Sequence, residues 1–206
     1  MLGSGSASAG LKAAVAVAVL GLAAFSAPAR ADEPAAPLGS RFYAGLDLSS
    51  VHVDDSYGGI DFSDSTFGAG LFTGFWVNDR LSVELGYDWL DAFDLHDIAG
   101  SGITRFDITS QRSILSVSVL RQIVLRDFLN LKRDWRVYGM LGVYDSQIHR
   151  TVTYLGSGAQ VSAGESNTGA LVAVGMLYTV GRFELRGYLQ GLGDAREIGA
   201  GAQFRF

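Results

Sequence analysis

The chain has 206 residues, no cysteine, 16 basic and 21 acidic side chains, and a composition that is 48% hydrophobic. Neither a disulfide framework nor a thiol nucleophile is available, and the acidic balance argues against a nucleic-acid partner. At this length a single domain is the expectation.

Residues 1–31 read as an export signal. Lys12 precedes an apolar run from Ala13 to Phe25, and Ser-Ala-Pro-Ala-Arg-Ala puts Ala29 and Ala31 at the small-residue cleavage positions. The run is shorter than the roughly 18–20 apolar residues of a spanning helix and no basic stop-transfer cluster follows it, so cleavage before Asp32 is expected. Residues 32–40, with Pro34 and Pro37, form a flexible lead-in to a domain over 41–206. Without Lys12 and Arg30, 14 basic residues face 21 acidic ones, a formal charge of about −7.

No later segment is apolar for long enough to make a membrane helix. Two-residue alternation recurs instead, as in strands with chemically different faces. In 42–48, Phe42, Ala44, Leu46 and Leu48 oppose Tyr43, Gly45 and Asp47. In 67–77, Phe67, Leu71, Phe75 and Val77 oppose Gly68, Gly70, Phe72, Gly74 and Trp76. The match is unbroken from Leu81 to Trp89, where Leu81, Val83, Leu85, Tyr87 and Trp89 oppose Ser82, Glu84, Gly86 and Asp88. Leu115, Val117 and Val119 alternate with Ser116 and Ser118, with Arg112 upstream on the polar side. Trp135, Val137, Leu141 and Val143 oppose Arg136, Tyr138, Met140 and Tyr144, and Val172, Val174, Met176 and Tyr178 oppose Ala173, Gly175 and Thr179. Phe183, Leu185 and Leu189 oppose Glu184, Arg186, Tyr188 and Gln190. Finally Ile198, Ala200, Ala202, Phe204 and Phe206 oppose Glu197, Gln203 and Arg205.

These eight segments suit an antiparallel transmembrane β-barrel of up-and-down order, because only a closed barrel or a helix satisfies its backbone inside hydrocarbon. The rival is a soluble sandwich, which would bury the apolar face and leave the charged one wet. Connection lengths favour the barrel. Asn78-Asp79-Arg80 and Val180-Gly181-Arg182 are tight periplasmic turns, while 54–64, 94–105 and 150–168 read as long external loops and Gly191–Asp194 as a short one. The connection 126–134 is long for its side and reads as an extended hairpin end. The region 146–166 reads as a hairpin rising above the membrane, not a further pair of spanning strands.

The inward set then contains Asp47, Glu84, Asp88, Glu184 and Glu197 with Arg112, Arg136, Arg186 and Arg205. Charges away from water must be paired, and an eight-stranded barrel is only wide enough for its own side chains. The expectation is a salt-bridged plug, not a conduit. Outward Tyr87, Trp89, Trp135, Tyr178 and Phe204 fall near strand ends, as an interfacial aromatic belt does.

The run Phe67-Gly-Ala-Gly-Leu-Phe-Thr-Gly-Phe-Trp-Val-Asn-Asp-Arg-Leu-Ser-Val-Glu-Leu-Gly-Tyr87, the segment Val137-Tyr-Gly-Met-Leu-Gly-Val143 and the Gly-Ala-Gln-Phe-Arg-Phe206 terminus resemble the small outer-membrane β-barrel family that includes the OmpA transmembrane domain and the opacity-type surface proteins. The resemblance implies an integral protein of a Gram-negative outer membrane with a role in envelope integrity or surface attachment. It further implies contact with outer-membrane lipid and lipopolysaccharide, and recognition of a C-terminal strand ending in Phe206 by the barrel-assembly machinery. Nothing after Phe206 offers a peptidoglycan-gripping domain, so a tether of that kind is not expected.

Two other functions are weighed: a narrow channel and a lipid-A-modifying enzyme. His52, His96 and His149 map near external strand ends with Asp54, Asp97, Ser146 and Ser157 close in sequence, but no spacing enforces a nucleophile–base–acid set, and no enzyme is expected. The acidic stretch Asp54–Asp64 lacks the spacing and final Glu of an EF-hand, so it reads as a solvated loop and no metal is expected. The glycine pairs 68/70, 191/193 and 199/201 lie in strands or hairpin ends, where close packing explains them better than a nucleotide cofactor does.

Overall fold

The computed structural model describes residues 41–57, 60–99, 105–124, 135–193 and 195–206. The expected export signal 1–31 with its cleavage positions Ala29 and Ala31, the lead-in 32–40 and the connection 126–134 lie outside the described residues.

Eight strands close into one antiparallel barrel in sequence order: β1 (Phe42–Tyr57), β2 (Ile60–Asn78), β3 (Leu81–Ala99), β4 (Arg105–Val124), β5 (Trp135–Tyr154), β6 (Gln160–Val180), β7 (Phe183–Leu192) and β8 (Ala195–Arg205). β1 closes the ring on β8. A cross-strand row followed from Phe42 through Phe75, Val83, Val119, Leu141, Val172, Gly191 and Arg196 returns to β1 at His52, ten residues above its start. That stagger is the geometric partner of strand tilt in a closed barrel. It places residues that are distant in sequence at one height in the lumen.

All eight expected segments are strands with the expected faces. Leu46, Leu48, Phe67, Leu85, Leu185 and Ile198 stand exposed on the outer wall, while Tyr43, Phe72, Glu84, Tyr138, Glu184 and Arg186 are buried inside. Tight turns follow Asn78, Val180 and Leu192, and Gly181 and Gly193 supply positive φ values of 65° and 67°.

The expected external loops are corrected. Most of 54–64 continues the β1–β2 ladder to Tyr57↔Ile60, residues 94–99 remain in β3, and 150–168 is paired hairpin as far as Thr153↔Gln160 around a turn at Gly156–Gly158. The apolar outer face ends where each strand leaves the bilayer, but backbone pairing does not, because a hairpin in water supplies its own hydrogen-bond partners. The hairpin over 146–166 therefore rises as expected and adds no spanning strands. Since β7 meets β6 only from Val172 and β8 meets β1 only up to Val53, the external side divides into a β1–β2 ribbon and a β3–β6 sheet.

Inner-wall glycines make room for large rings. A Cβ on Gly74 would lie 2.1 Å from Tyr43 Cζ, and the Tyr43 ring is fully buried and held by its hydroxyl. Gly74→Val is expected to abolish the folded species in which unboiled barrels migrate differently from boiled ones; retention of that species at wild-type yield would refute the packing.

Candidate functional site: a lumen closed at three levels

The inward charges separate into distinct groups. In the central group Arg186 on β7 donates from Nη1 to Glu84 on β3 at 2.9 and 3.0 Å, and from Nη2 to Asp47 on β1 at 2.7 Å. Its guanidinium also lies 3.3 Å from the centroid of Phe72, a cation–π contact. The Tyr43 hydroxyl donates to Glu84 at 3.0 Å. Asp47 and Asp88 flank Gly70 in one row, and a Cβ on Gly70 would lie 2.2 Å from an oxygen of each. Asp88 has no hydrogen bond or ion pair among the described residues. Glu197 accepts from Tyr188 Oη and Gln190 Nε2, both at 2.9 Å. These side chains leave a cavity too small for a solute.

Nearer the periplasmic mouth, Glu184 is wholly buried and takes five donors. Arg136 Nη1 lies at 3.2 Å, Arg205 Nη2 at 2.5 Å and Arg205 Nε at 3.0 Å, with Gln203 Nε2 at 2.6 Å and Thr179 Oγ1 at 3.1 Å. Arg205 lies 5.1 Å from the centroid of Trp76. Toward the outside, Val51, Val53, Leu90, Ile114, Leu171, Leu192 and Ala195 form an apolar layer with Tyr144, whose hydroxyl donates to the Leu192 carbonyl at 2.8 Å. Arg112 donates from Nε to Ser146 at 2.7 Å. Arg150, buried on the same inner face, pairs with Glu165.

The nine expected lumen charges lie on the inner face in unequal groups: four carboxylates near Arg186, two arginines on Glu184, and Arg112 with Ser146. The apolar layer and the Arg150–Glu165 pair were not expected: the region 146–166 is read as a hairpin above the membrane, with no inward charges placed on it. Arg150 shares the parity of Ile148 and Val152, and that was the available signal.

The aromatic set resolves into two girdles. Trp135 and Tyr178 (centroids 4.7 Å apart), Phe42 and Phe75 (4.9 Å), and Phe183, Phe204 and Phe206 lie at the periplasmic end, whereas Tyr87 and Trp89 (4.7 Å) lie toward the external end. The Phe206 backbone N–H donates to the Phe42 carbonyl at 3.0 Å, tying the last residue to β1.

The candidate catalytic residues do not assemble. Ser146 faces the lumen while His149 stands exposed on the opposite side of the same strand. His52 lies outside the barrel between Ser65 Oγ and Ser63 Oγ, each 3.0 Å from a ring nitrogen. Ser157 sits in the β5–β6 turn and accepts from the Ala159 N–H. The side chains of Asp54, His96 and Asp97 lie outside the described residues. No group of three His, Cys, Asp or Glu positioned to hold a metal occurs among the described residues.

A closed, apolar-walled barrel with a polar filling has a counterpart among known proteins. The model of the outer membrane protein beta-barrel domain matches residues 17–206. The chain belongs to that family. Outer membrane protein A of Serratia marcescens is 29% identical over 205 residues, covering 92% of this chain but 52% of the relative, so the chain spans about half the length of that protein. The crystal structure of Ail, the attachment invasion locus protein of Yersinia pestis, in complex with the heparin analogue sucrose octasulfate, superposes with a TM-score of 0.50 at 13% identity, covering 81% of this chain and 99% of Ail. Neisserial surface protein A gives a TM-score of 0.47 at 17% identity, covering 80% and 97%. At 13% identity the likeness to Ail is one of fold. This outer membrane β-barrel protein resides in the outer membrane, with its short turns periplasmic and its long ribbons outside.

Proposed function

We propose that this barrel is a structural and surface-interacting element of the envelope rather than a conduit. The reading rests on the lumen: the Arg186 guanidinium is engaged by Glu84 and Asp47, and an apolar layer lies on one side of it and the Glu184 cluster on the other. A water column would have to part both layers. The exposed residues of the protruding ribbons then become the part that meets lipopolysaccharide or an external surface, while the C-terminal strand is the part that the assembly machinery would read.

The ribbons' charge restricts the partner. Among the described accessible residues there, Asp64, Asp91, Asp94, Asp107 and Asp145 outnumber Arg105 and Arg196, while the charge of Glu165 is matched by Arg150. Ail was crystallised with a polysulfated ligand, but an acidic rim repels such a polyanion, so neutral or cationic surfaces are the better match. Catalysis has no support in the dispersed Ser and His residues.

Single-channel recording of the refolded full chain in planar bilayers tests the reading. The expected trace stays at baseline under moderate voltage. Reproducible discrete steps would replace the scaffold with the channel alternative.

A further inference from the structure

We propose that the central lumen holds one bare monovalent metal cation between Asp47 and Asp88. Charged carboxylates taken out of water are stable only when paired or bound to a cation, and the central group sets four of them against one guanidinium. Arg186 is engaged by Glu84 and by Oδ2 of Asp47, and Glu197 accepts from the neutral donors Tyr188 and Gln190. Asp47 Oδ1 and both oxygens of Asp88 are left without a donor among the described residues. Oδ1 of each aspartate lies 2.2 Å from the place a Gly70 Cβ would take, so two like charges face each other across a glycine.

The space beside them carries further unused oxygens. A cavity of about 20 Å³ adjoins both aspartates, enough for one water-sized body. Ser116 and Tyr138 also line it; these residues are 8% and 2% exposed, and neither hydroxyl has a hydrogen-bond partner among the described residues. A Cβ on Gly86 would lie 2.7 Å from Ser116 Oγ, which sets that hydroxyl over the glycine wall of the cavity. A water would satisfy the hydroxyls and leave the surplus charge standing. A hard cation takes lone pairs from carboxylates and hydroxyls alike and offsets the surplus. No trio of acidic groups is placed for a metal among the described residues, and the roughly six to eight oxygens of a calcium ion need more room than this, so the ion is monovalent. The site presupposes the filled lumen of the proposed function: conductance steps would remove both, whereas a silent trace without a sodium response would remove the site alone.

Sodium varied at fixed ionic strength supplies the test. The full chain is refolded in phosphatidylcholine vesicles at constant pH, and urea unfolding is followed by gel migration while sodium chloride replaces N-methylglucamine chloride, whose cation is too large for the cavity. An ion that binds only the folded barrel raises the folded-to-unfolded ratio by about tenfold for each tenfold rise in sodium beyond half-saturation. D88N removes a charge with little change of shape, and Y138F independently removes a hydroxyl. Each should flatten the response to about twofold or less while keeping folded migration. D94N, which alters an exposed carboxylate on the external sheet, should leave the response intact. A wild-type ratio that ignores sodium would overturn the site and assign the surplus charge to bound protons. A response that survives both D88N and Y138F would overturn it as well, by placing the ion elsewhere.

Discussion

Arg186→Met is expected to lower the unfolding free energy of the vesicle-embedded barrel by about 3–5 kcal/mol, because removing one partner strands buried charges. The stranded groups are Glu84 and Asp47, which lose donors at 2.7–3.0 Å, with Asp88 and Glu197 close by in the same part of the lumen. Methionine keeps most of the volume over Phe72, so a large loss would reflect charge rather than a cavity. The triple variant R186M/E84Q/D47N removes both sides of the pairing and should recover much of the loss, as replacement of a whole buried ion group often does. Urea titration followed by gel migration measures both. A single variant within about 1 kcal/mol of wild type would mean that the central pairing contributes little.

Glu184→Ala carries the second large effect, with the opposite residual charge. Two guanidiniums, Arg136 and Arg205, and the Gln203 amide would lose their shared acceptor. The two arginine side chains are 14% and 27% exposed at the periplasmic mouth, so water relieves part of the cost. A loss of about 2–4 kcal/mol is expected. Glu184→Gln retains an acceptor oxygen and should fall between alanine and wild type in the same titration. Equal losses for the two variants would show that hydrogen bonding to the arginines is not what Glu184 contributes.

The fold was legible because hydrocarbon imposes one rule on every second residue. Leu81 to Trp89 obeys it without exception, and that segment lies in β3 with Ser82 and Glu84 buried and Leu85 and Trp89 exposed. The strand ends were not legible, since outside the membrane Thr151, Ser162 and Gln147 need no apolar face to stay paired. Inward orientation of Asp47, Glu84 and Arg186 could be read from parity. Their meeting could not, because Arg186 lies 102 residues from Glu84 and 139 from Asp47, and the ten-residue stagger of the closed ring decides who shares a level.

Single cysteines on β4, in a chain that has none of its own, test most directly whether alternation builds a sealed barrel. Ser116→Cys and Ser118→Cys are near-isosteric and point inward at 8% and 3% exposure, while Leu115→Cys and Val117→Cys face outward. In reconstituted vesicles the inward pair should resist both a small water-soluble methanethiosulfonate and a bilayer-partitioning maleimide, and the outward pair should react with the maleimide alone. Rapid modification of either inward thiol by the water-soluble reagent would contradict a filled lumen, and a lack of any two-residue period would contradict the barrel wall itself.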